Sequence, residues 1–188
     1  MYSFRFRGGR SCLDFVATVS ERRQHGVERL TTPDDLGRWF TEAGLAAPAP
    51  PVSEEILRRA RRLREALYEL FTAHRLGQEV PPGALAAVNG WATRPPRAHR
   101  LEVGSGGRLR QVGCETTVET LLAEIARDAV HLLGGPLADR VHECELDRCS
   151  SLFLDTSRAG HRRWCSMDGC GARAKMAAYR ARRNEETS

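Results

Sequence analysis

The sequence predicts an α+β fold that is mainly α. A helical N-terminal domain with one small β-hairpin spans residues 1–135, and a small four-cysteine module of a knuckle, a short hairpin and a C-terminal helix spans 136–188. Three observations predict it. Apolar residues recur at helical spacing through most of the first 133 positions, in segments separated by glycine and proline. The stretch from Arg97 to Val112 instead carries apolar residues on both sides of a glycine turn. Four of the six cysteines fall within 27 consecutive positions as two equally spaced pairs. With 41% hydrophobic and 28% charged residues the chain is globular rather than disordered, and its 188 residues hold one ordinary domain and an appendage.

Taken in order, Tyr2, Phe4 and Phe6 alternate and predict a short edge strand that Gly8-Gly9 ends. Cys12, Phe15, Val16 and Val19 follow at helical spacing. Thr32-Pro33-Asp34-Asp35 is a helix start, with a capping hydroxyl, proline in the first position and acids in the first turn. That helix offers Leu36, Trp39, Phe40 and Ala43 to a core and stops at Gly44. Residues 46–52, with three prolines, form a linker. Ser53 caps the longest helix, whose stripe is Ile56, Ala60, Leu63, Leu67, Leu70 and His74, widened by Leu57 and Phe71. Its flanking arginines, Arg58 to Arg64 and Arg75, read as a solvated face neighboured by Glu54, Glu55, Glu65 and Glu69. After Pro81-Pro82-Gly83 a short helix runs through Leu85, Val88 and Trp91. Leu101 and Val103, then Leu109 and Val112, predict two strands around Gly104 to Gly107; these glycines lack the strand-to-helix setting of a phosphate loop. Thr117 opens the last helix of the domain, with Leu121, Leu122, Ile125, Ala129, Leu132 and Leu133 inward, and Gly134-Gly135-Pro136 ends it at the domain boundary.

Cys144-x4-Cys149, fifteen residues, then Cys165-x4-Cys170 is a spacing that presents four thiolates to one tetrahedral metal, and zinc is the default ion. Disulfides are the rival. The opening Met-Tyr-Ser-Phe-Arg-Phe-Arg has no secretory pattern, and no stretch approaches the ~18 apolar residues of a membrane span. The expectation is therefore a reduced cytoplasmic protein, off the membrane and associated with the nucleoid, with one structural Zn2+ on Cys144, Cys149, Cys165 and Cys170. Cys12 and Cys114 stand alone and read as small buried or half-buried residues. Four cysteine ligands leave no open coordination position. The six histidines fall in no metal or triad spacing, and no GxSxG or HExxH occurs, so the chain reads as no enzyme.

Charge concentrates behind the cysteines. Residues 156–184 hold eight Lys or Arg against one acid, a local +7 in a chain of net +5. A near-neutral body with a basic tail points to a polyanionic partner for the tail. A helix from about Asp168 to Arg183 puts Ala174, Ala177, Ala178 and Ala181 on one narrow face with Cys170, suited to lying against the metal-bearing loops. Arg173, Lys175, Arg180, Arg182 and Arg183 take the opposite half, with Met176 and Tyr179 among them. Arg162 and Arg163 extend the charge, so Arg162, Arg163, Arg173, Lys175, Tyr179, Arg180, Arg182 and Arg183 are the candidate nucleic-acid contacts. Arg163 and Arg173 also lie close enough to ligands to offset the −2 formal charge of a four-thiolate zinc centre. Phe153 and Trp164 are the candidate apolar floor under the metal.

The strings Leu152-Phe153-Leu154-Asp155-Thr156-Ser157, Arg163-Trp164-Cys165-Ser166-Met167 and Cys170-Gly171-x-Arg173, with the two cysteine pairs, resemble the CGNR-type zinc finger. Upstream, Leu13-Asp14-Phe15-Val16-Ala17-Thr18 and Thr32-Pro33-x-Asp35-Leu36 resemble the opening of the ABATE domain that precedes this finger in bacterial proteins. The family is described as stress-induced transcription regulators, so the resemblance implies a bacterial DNA-binding regulator. Two positions depart from the family pattern: Ala172 replaces the asparagine of Cys-Gly-Asn-Arg, and Ala17 replaces an upstream asparagine. Each loses an amide that hydrogen-bonds on two sides.

The reading is a zinc-dependent regulator that binds double-stranded DNA, with an N-terminal domain that senses a small effector, dimerises, or both. One finger buries only roughly 600–1,000 Å² on DNA, which favours a homodimer. An effector pocket is expected within 1–135, near Asp14 and Trp39. The alternative is a zinc-stapled module that docks an acidic protein of the transcription machinery, or RNA.

Overall fold

The computed structural model describes residues 3–97, 99–113 and 116–185, without the side chains of 99, 111, 184 and 185. Tyr2 and Cys114 lie outside the described residues. Helix α1 (Ser11–Val16) buries Cys12, Leu13, Phe15 and Val16. It is shorter than the apolar spacing predicts. The Thr18 hydroxyl donates to Phe15 O at 2.7 Å, and Val19 leaves the helix for a small antiparallel ribbon, β1 (Val19–Ser20) with β2 (Val27–Glu28). At the start of α2 (Pro33–Glu42) the expected cap is complete: Thr32 accepts from the Asp35 N–H, and the Asp35 carboxylate accepts from the Thr32 N–H at 3.0 Å. Ser53 caps α3 (Glu54–Leu76), which Gly77 ends in the left-handed region at φ 61°. Helix α4 (Pro82–Ala92) and helix α5 (Val118–Leu133, capped by Thr117) complete the body.

Helices α3, α4 and α5 pack on one another, α1 lies against α3 and α5, and α2 packs on α3. Trp39 is the aromatic hinge of the core, 5.1 Å from the Phe15 ring and 5.6 Å from Phe40. Between α4 and α5 a hairpin projects, β3 (His99–Val103) with β4 (Leu109–Gly113), in the register Leu101 opposite Gln111 and Val103 opposite Leu109.

Several sequence expectations need correction. Phe4 is not in a strand: no strand runs beside it, and its buried ring sits under the Arg38 guanidinium at 4.3 Å. Leu85 is exposed, and Ala84 takes the inward position on α4. His74 points away from the core toward Asp139, at 3.2 Å. The arginine face of α3 is not simply solvated. Arg64 is buried and grips Glu28 of β2 through both ends of its guanidinium, at 2.6 and 2.7 Å. Arg61 donates to Leu30 O, Arg59 lies over the Trp91 ring at 4.9 Å, and Arg75 reaches Glu143 at 2.5 Å. Arg58 has the expected local partner, Glu55. These arginines bind neighbouring elements whose acids are distant in sequence, which no i,i+4 pattern can show.

The C-terminal part grows directly out of this body. Strands β5 (Val141–Glu143) and β6 (Leu152–Leu154) pair antiparallel around the first cysteine pair. Val141, Leu152 and Leu154 belong to the body's core, and the Leu154 N–H donates to Gly8 O at 2.8 Å. Among the described residues no strand lies between the two cysteine pairs other than β6 itself. A π-helical turn (Met167–Gly171) then runs into α6 (Ala172–Glu185). No helix of the described residues is long and apolar enough to cross a membrane.

Candidate metal centre and basic helix

The sequence places Cys144 just past β5 and Cys149 just before β6, while Cys165 and Cys170 bracket the entry to the π turn. Folding brings all four Sγ atoms within 4.8 Å of one another, and all four residues are buried. Cys149 Sγ lies 3.7 Å from Cys165 and 3.6 Å from Cys170, and Cys165 lies 3.6 Å from Cys170. These are not disulfide distances. A tetrahedron with zinc–sulfur bonds of ~2.3 Å has edges of about 3.8 Å, so the four thiols have the size and shape of one zinc shell. Without a cation the four thiols do not ionise together: hydrogen bonds from the neighbouring thiols draw Cys149 down, and burial and the charge on Cys149 push the Cys170 thiol up to about 11. A bound Zn2+ supplies the positive charge that holds all four as thiolates. The residues fit one structural zinc ion.

Phe153 is fully buried against the cysteines, with Leu146 and Trp164 beside it, which is the apolar floor expected. The shell around the ligands differs from expectation. Arg163 turns outward to Glu145 at 2.6 Å, and Arg173 is exposed. It is Arg162 that reaches the metal loop, donating to Cys165 O at 3.0 Å with its guanidinium 5.0 Å from the Phe153 ring. Asp155, buried, organises the loop between the pairs by accepting from the Ser157 and Arg162 N–H groups, each at 2.8 Å. Burial opposes its charge, but those two hydrogen bonds outweigh burial and hold its carboxyl down at about 2. Asp155 was missed as a site residue. The signal available was an acid followed two residues later by a serine, the pattern of an Asx turn.

The finger is also latched to the body. The Arg22 N–H donates to Ser150 Oγ at 2.8 Å, and Arg23 reaches both Glu143 at 2.8 Å and Cys144 O at 3.1 Å. Ser150, at φ 49°, holds a left-handed turn between Cys149 and β6. Gly8 sits at the junction of the N-terminal segment, α1 and β6. Its N–H donates to Asp14 at 2.8 Å, its carbonyl accepts from Leu154, and a Cβ there would meet the Leu13 Cβ at 2.6 Å. Asp14 is therefore used inside the fold, and burial pushes its carboxyl up to about 6 against the Gly8 hydrogen bond. Trp39 is fully buried. A hollow of about 680 Å³ lies elsewhere, between linker residues 44–51 and Arg97.

Helix α6 departs from the predicted packing. Ala177, Ala178 and Ala181 are exposed, and the helix touches the π turn and little else. It projects, with Arg173, Lys175, Tyr179, Arg180, Arg182 and Arg183 all exposed and no acid from Ala172 to Asn184. Grooves flank its first turns: Arg7, Arg173 and Arg180 line one of about 540 Å³, and Arg163, Trp164, Lys175 and Arg182 line another of about 760 Å³. Residues far apart in sequence thus gather cations in both grooves around the shared Asp168, and Arg7 in particular carried no sequence signal for this.

The ABATE family model, described as "Putative stress-induced transcription regulator", matches residues 9–136, and the CGNR zinc finger model matches residues 140–183. No curated protein matches the chain.

Proposed function

The chain belongs to the ABATE family and carries a CGNR zinc finger, and from that membership we propose that it is a zinc-dependent transcription regulator whose α6 binds double-stranded DNA. The observation that carries the reading is the projecting helix, exposed on nearly every side and cationic without an interspersed acid. Solvated surface helices usually mix both signs, whereas a run of one sign attracts a polyanion. Arg and Lys at these positions serve the phosphate backbone, and a helix of this width fits the major groove. The body senses an effector, presents the finger in pairs, or does both; the latch through Arg22, Arg23 and Arg75 gives it a physical connection to the metal loop.

The test is a duplex-DNA titration of the zinc-loaded protein across a salt series, beside an R180A/R182A/R183A variant. Log affinity is expected to fall linearly with log salt, with a slope of roughly −0.9 per phosphate neutralised, and the variant is expected to bind more weakly with a slope shallower by about 2–3. Binding that is absent or salt-insensitive would sink the reading. Capture of a partner protein that survives nuclease treatment would then favour protein docking, and preference for RNA in competition would favour that polymer.

A further inference from the structure

The β3–β4 hairpin has no partner for its outer edges or for one of its faces among the described residues. Leu101, Val103 and Leu109 stand on the same side of the ribbon and are 67%, 71% and 66% exposed. The two strands pack on each other and on no other element to a comparable extent. A two-stranded ribbon is marginal by itself, and an open edge beside an exposed apolar face invites strand addition. We propose that β3 pairs antiparallel with β3 of a second copy of this chain, about a two-fold axis at Leu101, making a four-stranded sheet that joins a homodimer.

The backbone and the charges select this pairing together. The Gly104 N–H donates to Arg108 O at 2.8 Å, so Gly104 and Arg108 form a hydrogen-bonded pair. Antiparallel pairs alternate, which puts Arg100 and Glu102 in hydrogen bonds with β4 and aims the N–H and C=O of Leu101 and Val103 at the free edge. An axis at Leu101 makes Leu101 bond to its own copy. The flanking positions then set Arg100 opposite the second copy's Glu102, and Glu102 opposite its Arg100. Opposite charges thus meet twice on one face while Leu101 meets its copy on the other. The free edge of β4 offers no such match of opposite charges: an axis at Leu109 sets Arg108 against Arg110, like against like, and one at Gln111 sets Arg110 against Val112. An isologous contact of this kind closes at two subunits through β3.

The inference is independent of what α6 binds, and its test needs no DNA. Sedimentation of the full-length, zinc-loaded chain over a range of concentrations is expected to show reversible dimers. R100E places acid against acid across the axis. E102R/R110E places arginine against arginine there while keeping an opposite-charge pair inside its own hairpin. Each variant alone is expected to dimerise at least about tenfold more weakly, and an equimolar mixture is expected to restore a one-to-one heterodimer. Monomeric wild-type protein, undiminished dimerisation of either variant, or failure of the mixture to recover would each overturn the proposal. All three substitutions lie on exposed or half-exposed positions, and circular dichroism checks that both variants keep the wild-type helix content.

Discussion

In the body, Phe15, Trp39 and Phe40 stack within a core shared by α1 to α5, whereas the metal-bearing loops have Phe153 as their one fully buried aromatic among the described residues. The body can hold itself by apolar burial. The loops from Cys144 to the π turn bury too little for that and depend on what four thiolates bind. The border between the two regimes does not follow the chain. Strands β5 and β6 are part of the finger in sequence, yet Val141, Leu152 and Leu154 face the body's core while Phe153, between two of them, faces the cysteines. Alternation along one three-residue strand thus splits its side chains between two sources of stability. The lesson is that the finger is half-anchored: its root is held by the body and its tip by the metal.

Metal removal is the strongest way to break this comparison. Structural zinc contributes on the order of 10–16 kcal/mol to folding small cysteine modules. Stripping the ion with a chelator should unfold the tip and α6 while leaving the root. Amide exchange is the measurement: Cys165 to Gly171 should lose protection at once, and Leu154, bonded to Gly8, should keep it. Simultaneous loss at both places would show one cooperative unit instead of two. A pair of core truncations sharpens the point with a smaller effect. Phe15→Ala should cost about 3–5 kcal/mol of global stability, seen as a lowered Tm. Phe153→Ala should weaken zinc binding in a competition titration and change the body's melting far less.

How much of this was legible differs by region for the same physical reason. The caps at Thr32, Ser53 and Thr117, the hairpin around Gly104 to Gly107 and the four ligands are local patterns, written within a few residues of where they act. The β1–β2 ribbon has strands of two residues, too short to show a period. The arginines of α3 looked like a solvated face because their partners, Glu28 and Glu143, come from elsewhere in the chain. Likewise a stripe of alanines reads as a packing face, but packing needs an opposing surface, and α6 leaves the module before meeting one. Arg162 and Arg163 are adjacent and chemically identical; only the path of the loop decides that the first holds Cys165 and the second holds Glu145.

Two carboxylates, one in each region, give the subtlest contrast. Asp155 is held at about 2, below its ordinary 3.8, so the folded finger binds its proton less readily than the unfolded chain does. Its contribution is therefore present above pH ~4 and is lost as pH falls toward 2, with a size on the order of 2 kcal/mol. Asp14 runs the other way. With its carboxyl raised to about 6, the folded body takes up a proton that the unfolded chain releases, so body stability should rise as pH falls from about 6 to about 4. Asp14→Asn keeps an oxygen for the Gly8 N–H and cannot titrate. Melting the zinc-loaded variant and wild type from pH 4.5 to 7.5 should show a slope in the wild type that the variant lacks. Parallel profiles would mean that Asp14 ionises as freely in the fold as in water, and that the body's interior near α1 is wetter than its packing indicates.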